Sequence, residues 1–456
     1  MPRHSHAAHR RPGRVGVRCT SGYVSGVYCS PTRAGLITGR YQQRFGHEYN
    51  PGARGETGGD LVESIGLPLS EKTIADRFRD AGYATGMVGK SHLGMAKKFR
   101  PNHRGFDEFF GFLGAAMAYR PGMDPTIFPG LESKPIPMSN QPVYRGDSPV
   151  DEPEYLTDAF AREAVSFIDR HRERPFLLYL AFNAVHTPMN ATEDRLARFA
   201  SIADPVRRTY AAMTLALDDA VGRVVEAVRK SGLEQDTIFF FLSDNGGPTV
   251  RKVCRNGAVN TPLRGSKLST LEGGIRVPFV VSWPGRLPAG RVHDGPVIQL
   301  DIMTTALAAA GVAIRPEWKL DGVDLLPRLA GDAGAAPEGA ADRALYWRMG
   351  TQMAIRHGNW KLVRYAVSFS GEISGDEAPN QSAGTSPPRL YDLGHDIGEA
   401  SDLAASHPDK VAELQQRWDR WNETLVEPLW MPKAEWASPP GQAREAAGRV
   451  SPAARP

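Results

Sequence analysis

Short, uninterrupted apolar runs set the main constraint on how this chain can fold. They cover Phe176–Phe182, Thr237–Leu242 and Phe279–Trp283. Runs of this length are typical of buried strands in a parallel sheet. Apolar residues with helical spacing lie at Ser70–Ala81, Thr157–His171, Tyr210–Lys230 and Gln299–Ala310, with Ser70 and Thr157 as predicted N-caps of the first two. Strands that alternate with helices predict an α/β fold with a large, mainly parallel sheet flanked by helices.

A change in composition divides the chain. Residues 330–341 are rich in Ala, Gly and Pro and are predicted to be a linker. We therefore expect a main domain over residues 15–340 and a small α+β subdomain over residues 341–430. The subdomain is predicted from a hairpin at Ala344–Arg348 and Met353–Val363, a strand at Leu390–Leu393 and a helix at Asp409–Leu425. Residues 1–14 and 431–456 are predicted to be disordered tails, the first of them basic.

Composition argues against several classes of protein. The net charge is only +4 over 456 residues, and no basic stripe is interleaved with aromatic residues, so we expect no nucleic-acid partner. No apolar run approaches the roughly 20 residues of a membrane-spanning helix. Three cysteines cannot form a disulfide framework. The first residues lack the apolar segment of a secretory signal.

The stretch from Cys29 to Gly39 combines a thiol, a proline turn and a cation. It reads Cys-Ser-Pro-Thr-Arg-Ala-Gly-Leu-Ile-Thr-Gly. Pro31 suits the first helical position, which would place Cys29 just before the helix, where backbone N–H groups favour an anion. Arg33, about one turn on, would face the same anion. A buried cysteine at a helix start is the alternative.

Two further stretches place cations and imidazoles directly after predicted strands. Lys90 and His92 follow the strand Tyr83–Val88, and His186 follows Phe176–Phe182. The carboxyl ends of strands are where α/β folds place their sites. An ammonium beside an imidazole suits an oxyanion, and His186 is well placed for proton transfer. The alternatives are that Lys90 and His92 lie on the solvated surface and that His186 is a polar residue with satisfied hydrogen bonds.

The last strand of this kind leads into possible metal ligands. Asp244 and Asn245 follow Thr237–Leu242 and offer the hard oxygen ligands that Ca²⁺ or Mg²⁺ prefers, although Asp-Asn-Gly is also ordinary turn chemistry. Further on, Lys267 lies in a Gly-containing turn with Arg264 and suits an anion.

Four other polar residues are given structural interpretations. Glu272 and Arg276 are predicted to form a structural pair, and His47 and Asn50 are more readily explained as loop residues than as pocket-lining ones. The long loop Ala115–Glu154 is the expected place of substrate selectivity.

Taken together, these motifs resemble the type I sulfatase family. Cys-x-Pro-Thr-Arg followed by Thr-Gly-Arg is similar to its first signature, and Gly89-Lys-x-His-Leu-Gly94 to its second, with Ser91 where Trp is usual. The strand that leads to His186 and Pro188 and the strand that leads to Asp244 and Asn245 match in the family's order. The resemblance runs from about residue 15 to about residue 425. It implies the alkaline-phosphatase-like fold and hydrolysis of aryl or carbohydrate sulfates.

The resemblance also implies roles for single residues. Cys29 would be oxidised by a maturation enzyme to formylglycine, whose hydrate is the nucleophile. Sulfate would be bound by Arg33, Lys90, His186 and Lys267. His92 would contact the formylglycine hydroxyl, and His186 with Lys267 would protonate the leaving oxygen. Asp244, Asn245 and the oxygens of residue 29 would hold Ca²⁺ or Mg²⁺.

One element of the family pattern is missing. The family opens with an apolar strand that ends in two aspartates, further ligands of the metal, whereas no Asp or Glu precedes Glu48 here. Loss of that strand would expose paired edges in the sheet. The sequence thus leaves open an active sulfatase with a misplaced or clipped start and a non-catalytic relative that binds sulfated ligands. A phosphate or phosphonate ester hydrolase is a third hypothesis. A periplasmic or secreted location would follow if a signal peptide precedes the missing strand.

Overall fold

The computed structural model describes residues 16–51, 63–121, 141–249, 256–331, 343–365 and 385–430. The described strands are β1 (Val17–Tyr23), β2 (Ala84–Lys90), β3 (Glu108–Phe112), β4 (Val143–Arg145), β5 (Ser148–Val150), β6 (Phe176–Ala181), β7 (Phe239–Leu242), β8 (Phe279–Ser282), β9 (Arg291–Ile298), β10 (Ala344–Met349), β11 (Gln352–His357), β12 (Trp360–Arg364) and β13 (Arg389–Asp392). The described helices are α1 (Cys29–Thr38), α2 (Ile74–Asp80), α3 (Leu156–His171), α4 (Glu193–Ala197), α5 (Pro205–Lys230), α6 (Glu272–Ile275), α7 (Asp301–Ala309), α8 (Leu326–Ala330) and α9 (Pro408–Asn422).

The main domain contains two mixed sheets. One has five strands in the order β5-β4-β3-β2-β6, of which β3, β2 and β6 run parallel. The other has four strands in the order β7-β8-β1-β9, and only β1 and β9 pair in parallel. The expected α/β architecture with flanking helices is confirmed, and the pairing is mixed where a mainly parallel sheet was predicted. Only the β4–β5 pair of the antiparallel part is a short hairpin, whereas β3–β4, β1–β8 and β7–β8 join strands that are far apart in the sequence.

Strands β6 and β7 lie at the facing ends of these two sheets. Leu177 of β6 and Phe240 of β7 pack against one apolar cluster, and Leu178 and Phe239 pack against another. The two strands therefore share the same cores on both faces. Within the described residues they form no backbone ladder with each other, so each presents an unpaired edge.

Helix starts depart from the predicted caps. α1 begins at Cys29 itself, with Tyr28 as N-cap, and Pro31 is its third residue. Proline is tolerated there because the first turn's N–H groups have no intrahelical partner. Thr73, not Ser70, caps α2 and forms a capping box with Asp76. α3 begins at Leu156, so Thr157 is already helical and is not its cap.

One predicted loop, the two predicted tails and the predicted linker lie partly or wholly outside the described residues. The loop Ala115–Glu154 contains the hairpin β4–β5, so it is not wholly irregular, and its residues 122–140 lie outside the described residues. The predicted tails 1–14 and 431–456 and most of the linker 330–341 also lie outside them. Among the helices that the structure describes, none combines the length and apolarity needed to cross a bilayer.

The C-terminal subdomain is an antiparallel sheet with one helix. Its strands pair in the order β10-β11-β12-β13, and α9 buries Leu414 and Trp421. A His-Gly-Asn turn within the predicted Met353–Val363 segment joins β11 to β12, and Gly358 there has a φ of +58°, which glycine adopts without strain. This confirms the expected hairpin.

A buried ion cluster fastens this subdomain to the main domain. Lys361 of β12 is fully buried, and its Nζ lies 2.9 Å from Glu272 Oε1 and 2.8 Å from Glu399 Oε1. Glu272 also accepts a hydrogen bond of 2.6 Å from Tyr23 of β1 and pairs with Arg276. Burial raises the pKa of Glu399 to about 7, with Lys361 opposing it. The ammonium therefore neutralises two carboxyl groups that have no access to water.

We expect Lys361→Met to lower the free energy of unfolding by about 3–5 kcal/mol, because it removes the counter-charge of the buried Glu399 and part of that of Glu272. Lys410→Met is the matched control. That lysine pairs with Glu413 at the surface of α9 and is partly exposed, so its loss should cost less than about 1 kcal/mol. Urea unfolding followed by fluorescence measures both, and equal effects would contradict the assignment.

Candidate active site

Five polar groups from separate elements meet beside the two main sheets. Cys29 starts α1, Lys90 ends β2, His186 follows β6, Asp244 follows β7, and Lys267 lies in the loop before α6. Cys29 and Lys90 are no more than 2% exposed, and Lys267 is 8% exposed. Residues far apart in sequence thus share one buried pocket, as the strand-end positions predict.

The Cys29 thiol lies at the centre of this pocket. Its Sγ is 3.2 Å from Lys267 Nζ and donates a 3.6 Å hydrogen bond to Asn245 Oδ1. Burial opposes ionisation of the thiol, but the nearby ammonium groups of Lys267 and Lys90 outweigh it and hold its pKa well below the usual range. The neighbouring His186 and His92 rings act in the same direction. Cys29 is therefore in a reactive environment.

The other titratable groups respond to the same burial. Desolvation lowers the pKa of Lys90 to about 8, and Arg33 and Lys267 add repulsion. It lowers the pKa of His92 to about 4 and also depresses the pKa of His186. Both imidazoles are therefore neutral near pH 7. The Lys90 charge is present below pH 8 and is lost as the pH rises above it.

His186 and Lys267 form a directional pair. His186 Nδ1 lies 2.6 Å from the backbone oxygen of Thr187, which can only accept, so Nδ1 carries the proton. In a neutral ring Nε2 is then the acceptor, and it lies 3.3 Å from Lys267 Nζ. Lys267 thus donates towards both Cys29 and His186.

Arg33 and Asp244 bind each other. The Arg33 guanidinium donates to Asp244 Oδ2 from Nε and from Nη2, at 3.0 and 2.8 Å, and from Nη1 to the carbonyl of Lys90 at 2.7 Å. Burial and the thiolate of Cys29 would raise the pKa of Asp244, but Arg33 and the two lysines keep it below the usual range. Asp244 is therefore ionised, and Arg33 is held by it.

The donor set for a divalent cation is incomplete. Asp244 and Asn245 are close to the Cys29 sulfur, but the Asp244 carboxylate is engaged by Arg33. In the described ranges, no three His, Cys, Asp or Glu side chains come together in a way that could hold a metal ion. The described residues do not fit a Ca²⁺ or Mg²⁺ site by themselves, because such ions take six to eight or six oxygen ligands.

His47 and Asn50 both lie in a loop, as predicted, and both contact Ser30. His47 is fully buried with its Nε2 2.6 Å from Ser30 Oγ, and the half-buried Asn50 accepts at Oδ1 from the Ser30 backbone N–H at 3.0 Å. The burial of His47 and these contacts with Ser30 were not predicted. Polar residues after a Gly-containing turn carry no periodicity, so the only available signal was their closeness in sequence to Cys29.

Fold and site together define a hydrolase of the alkaline-phosphatase-like class. The sequence model of the family described as Sulfatase matches residues 2–312, and the chain therefore belongs to the sulfatase family, whose members are sulfuric ester hydrolases.

Individual relatives agree. N-acetylgalactosamine-6-sulfatase of Canis lupus familiaris is 31% identical over 89% of this chain and 78% of its own length. An arylsulfatase of Hemicentrotus pulcherrimus is 31% identical over 90% of this chain and 75% of its own length. The crystal structure of Ps i-CgsB in complex with k-i-k-neocarrahexaose superimposes with a TM-score of 0.79 at 32% identity, covering 93% of this chain and 89% of that one. The predicted family and fold are confirmed.

In protein that retains the Cys29 thiol, we expect thiolate absorbance at 240 nm to titrate well below the ordinary cysteine pKa. Lys267→Met should raise that midpoint, because burial then acts with one cation fewer against it. Cys19 is the internal control: it is also buried, but burial and Asp301 raise its pKa to about 12. A midpoint that does not respond to Lys267→Met would contradict this electrostatic account.

Proposed function

We propose that this chain hydrolyses the sulfate esters of aryl compounds or carbohydrates, with a formylglycine made from Cys29 by a maturation enzyme. The observation that carries the proposal is the Lys267 ammonium 3.2 Å from Cys29 Sγ, with His186 bonded to the same ammonium. A nucleophile position and a proton donor thus lie within one buried pocket, the arrangement that covalent catalysis needs.

The cations around residue 29 suit a tetrahedral anion. Lys90 and Lys267 both act electrostatically on Cys29, and Arg33 lies next to Asp244 in the same pocket. Fixed donors in a water-poor site stabilise charge that develops on the sulfuryl oxygens far more than they would in water. Asp244 keeps Arg33 in place and is ionised, so it can accept a proton from the nucleophile.

Lys267 and His186 suit the departing oxygen. Because Nδ1 of His186 is committed to the Thr187 carbonyl, its Nε2 accepts from Lys267. Lys267 therefore holds a proton, and His186 fixes the direction in which that ammonium points. A leaving alkoxide near both groups would be protonated or stabilised by Lys267, which His186 orients.

The proposed reaction needs two groups besides unmodified side chains, a formylglycine at residue 29 and a divalent cation. Formylglycine, when present at residue 29, provides a hydrated aldehyde with one oxygen for attack and a second for release of sulfate. Cys29 fits that modification, since it starts a helix in a buried cationic pocket. The family is generally dependent on a divalent cation as well. Asp244 and Asn245 are the proposed ligands, but the described donors do not complete its site, and no step is assigned to it.

That incomplete donor set favours one second candidate. A relative that binds sulfated glycans or small molecules without turning them over needs only Arg33, Lys90, Lys267 and the imidazoles. A glycan ligand is supported by the similarity to Ps i-CgsB, whose crystal structure holds k-i-k-neocarrahexaose. Conversion of residue 29 and turnover together decide between the two candidates.

Cys29→Ala should lower sulfate ester turnover by at least about 10³-fold while the fold stays intact, because the nucleophile position is lost. Cys19→Ala is the matched control, a buried cysteine of β1 that packs against Val281 instead of cations. Mass spectrometry first establishes that residue 29 is converted, and 4-nitrophenyl sulfate and 4-nitrophenyl phosphate are then compared. Faster hydrolysis of the phosphate would contradict the proposal and identify a phosphoesterase. Binding of a sulfated ligand without turnover would contradict it in favour of the second candidate, a binding protein.

His186→Ala should slow hydrolysis of a sugar sulfate by about 10²-fold but that of 4-nitrophenyl sulfate by less than about 10-fold, because nitrophenolate leaves without protonation. The exposed His103→Ala, which loses only a surface pair with Asp147, serves as the control. Equal losses on both substrates would mean that His186 does not act on the leaving group.

A further inference from the structure

We propose that His47 is a positioning residue that acts through Ser30 to hold Cys29 and His92 in register; the inference rests on the proposed function. His47 has no part in the chemistry described above, yet its ring is fully buried directly behind the nucleophile position. It lies in the loop that follows the short 3₁₀ turn Gln42–Phe45.

The hydrogen bonds of Ser30 fix the direction of the contact. Ser30 Oγ lies 2.6 Å from the backbone oxygen of His92 and 2.6 Å from His47 Nε2. A carbonyl oxygen can only accept, so the single hydroxyl proton of Ser30 goes to His92. His47 must therefore donate from Nε2 to Ser30 Oγ, which makes a chain His47→Ser30→His92.

Buried surroundings favour that tautomer. Desolvation, together with repulsion from His92 and Arg104, lowers the pKa of His47 to about 3, so the ring is neutral and carries one proton. Its Nδ1 is buried, and none of the residues that the structure describes forms a hydrogen bond with it. A buried acceptor left unpaired costs free energy. The single ring N–H of His47, at Nε2, is therefore directed at Ser30, and the described residues leave Nδ1 without a hydrogen bond.

This chain of hydrogen bonds connects two positions that matter for the site, the start of α1 and His92. Ser30 follows Cys29 in the first turn of α1. His92 has a φ of +59°, a left-handed conformation that is costly for a residue with a Cβ. Ser30 Oγ bonds to the carbonyl of His92 and so helps to hold its backbone, while Ser30 itself is the chain neighbour of Cys29 in α1. One hydroxyl thus couples the nucleophile position to the imidazole beside it.

His47 is itself held from two sides. Its ring packs edge-on against Trp430 with the centroids 4.7 Å apart, and its backbone N–H donates to the carbonyl of Gln42 at 3.0 Å. Trp430 Nε1 donates to the Tyr49 carbonyl at 3.1 Å. The segment after α9 therefore packs on the loop that carries His47, and the donor at Nε2 has little freedom to move.

Three substitutions at position 47 test the direction of the bond. His47→Gln places an amide N–H near the position of Nε2, His47→Asn places it near Nδ1, and His47→Leu removes it. We expect His47→Gln to keep kcat for 4-nitrophenyl sulfate within about threefold. The other two should lose about 10- to 10²-fold in kcat with little change in KM, the size expected from a misplacement of about 1 Å. The exposed His395→Asn is the control.

Ser30→Ala tests whether the effect of His47 passes through the Ser30 hydroxyl. If His47 acts through Ser30, Ser30→Ala should lower kcat as much as His47→Asn, and the double variant should be no worse than either single variant. Independent effects that multiply would overturn the proposal. So would equal activity of His47→Gln and His47→Asn, or a loss that falls on KM alone.

A second measurement separates this proposal from the proposed function. Amide hydrogen exchange of peptides that cover residues 28–33 and 90–94 should increase in His47→Asn and Ser30→Ala and stay near wild type in His47→Gln. It requires no turnover. If the wild-type protein with converted residue 29 hydrolyses nothing, the proposed function fails, and the exchange pattern still decides the positioning role. Unchanged exchange in all variants would overturn it.

Discussion

One arginine holds the candidate site together. Arg33 lies on α1, and its guanidinium bonds to the Asp244 carboxylate after β7 and to the backbone carbonyl of Lys90 at the end of β2. Because β2 and β7 belong to different sheets, this side chain is a direct polar link between the two halves of the main domain. It is almost fully buried, where charge-assisted hydrogen bonds are strong and the loss of one partner is costly. The spacing of the groups around Cys29 depends on that link.

The same pocket is short of negative charge. Arg33, Lys90 and Lys267 face one ionised carboxylate, Asp244, and the thiol of Cys29. Burying cations together is unfavourable, as the lowered pKa of Lys90 indicates. An anion that enters the pocket relieves this repulsion, and this relief favours its binding. Such preorganisation means that the protein needs little rearrangement when charge develops on a bound ester.

The sequence predicted the positions that depend on local pattern. Lys90, His186 and Asp244 were found because each directly follows an apolar strand, and strand ends gather at one edge of a sheet. The Arg33–Asp244 pair was not predicted, since each residue was assigned a different ligand and their contact spans 211 positions. His47 was correctly placed in a loop, but its burial was not predicted, because a polar residue in a loop shows its burial only after the chain has folded. The sequence suggested exposed sheet edges without indicating that β6 and β7 carry them.

The facing edges of β6 and β7 affect how the protein behaves in solution. Their sequences, FLLYLA and FFFL, contain no charge, proline or glycine, and their side chains are only partly buried. Proteins usually protect edge strands with charges, prolines or bulges. Uncharged segments of high β-propensity pair readily with other extended chains. Within the described residues, these two edges are therefore the part of the main domain best suited to pair with another extended chain, and a single lysine on either edge would oppose that pairing.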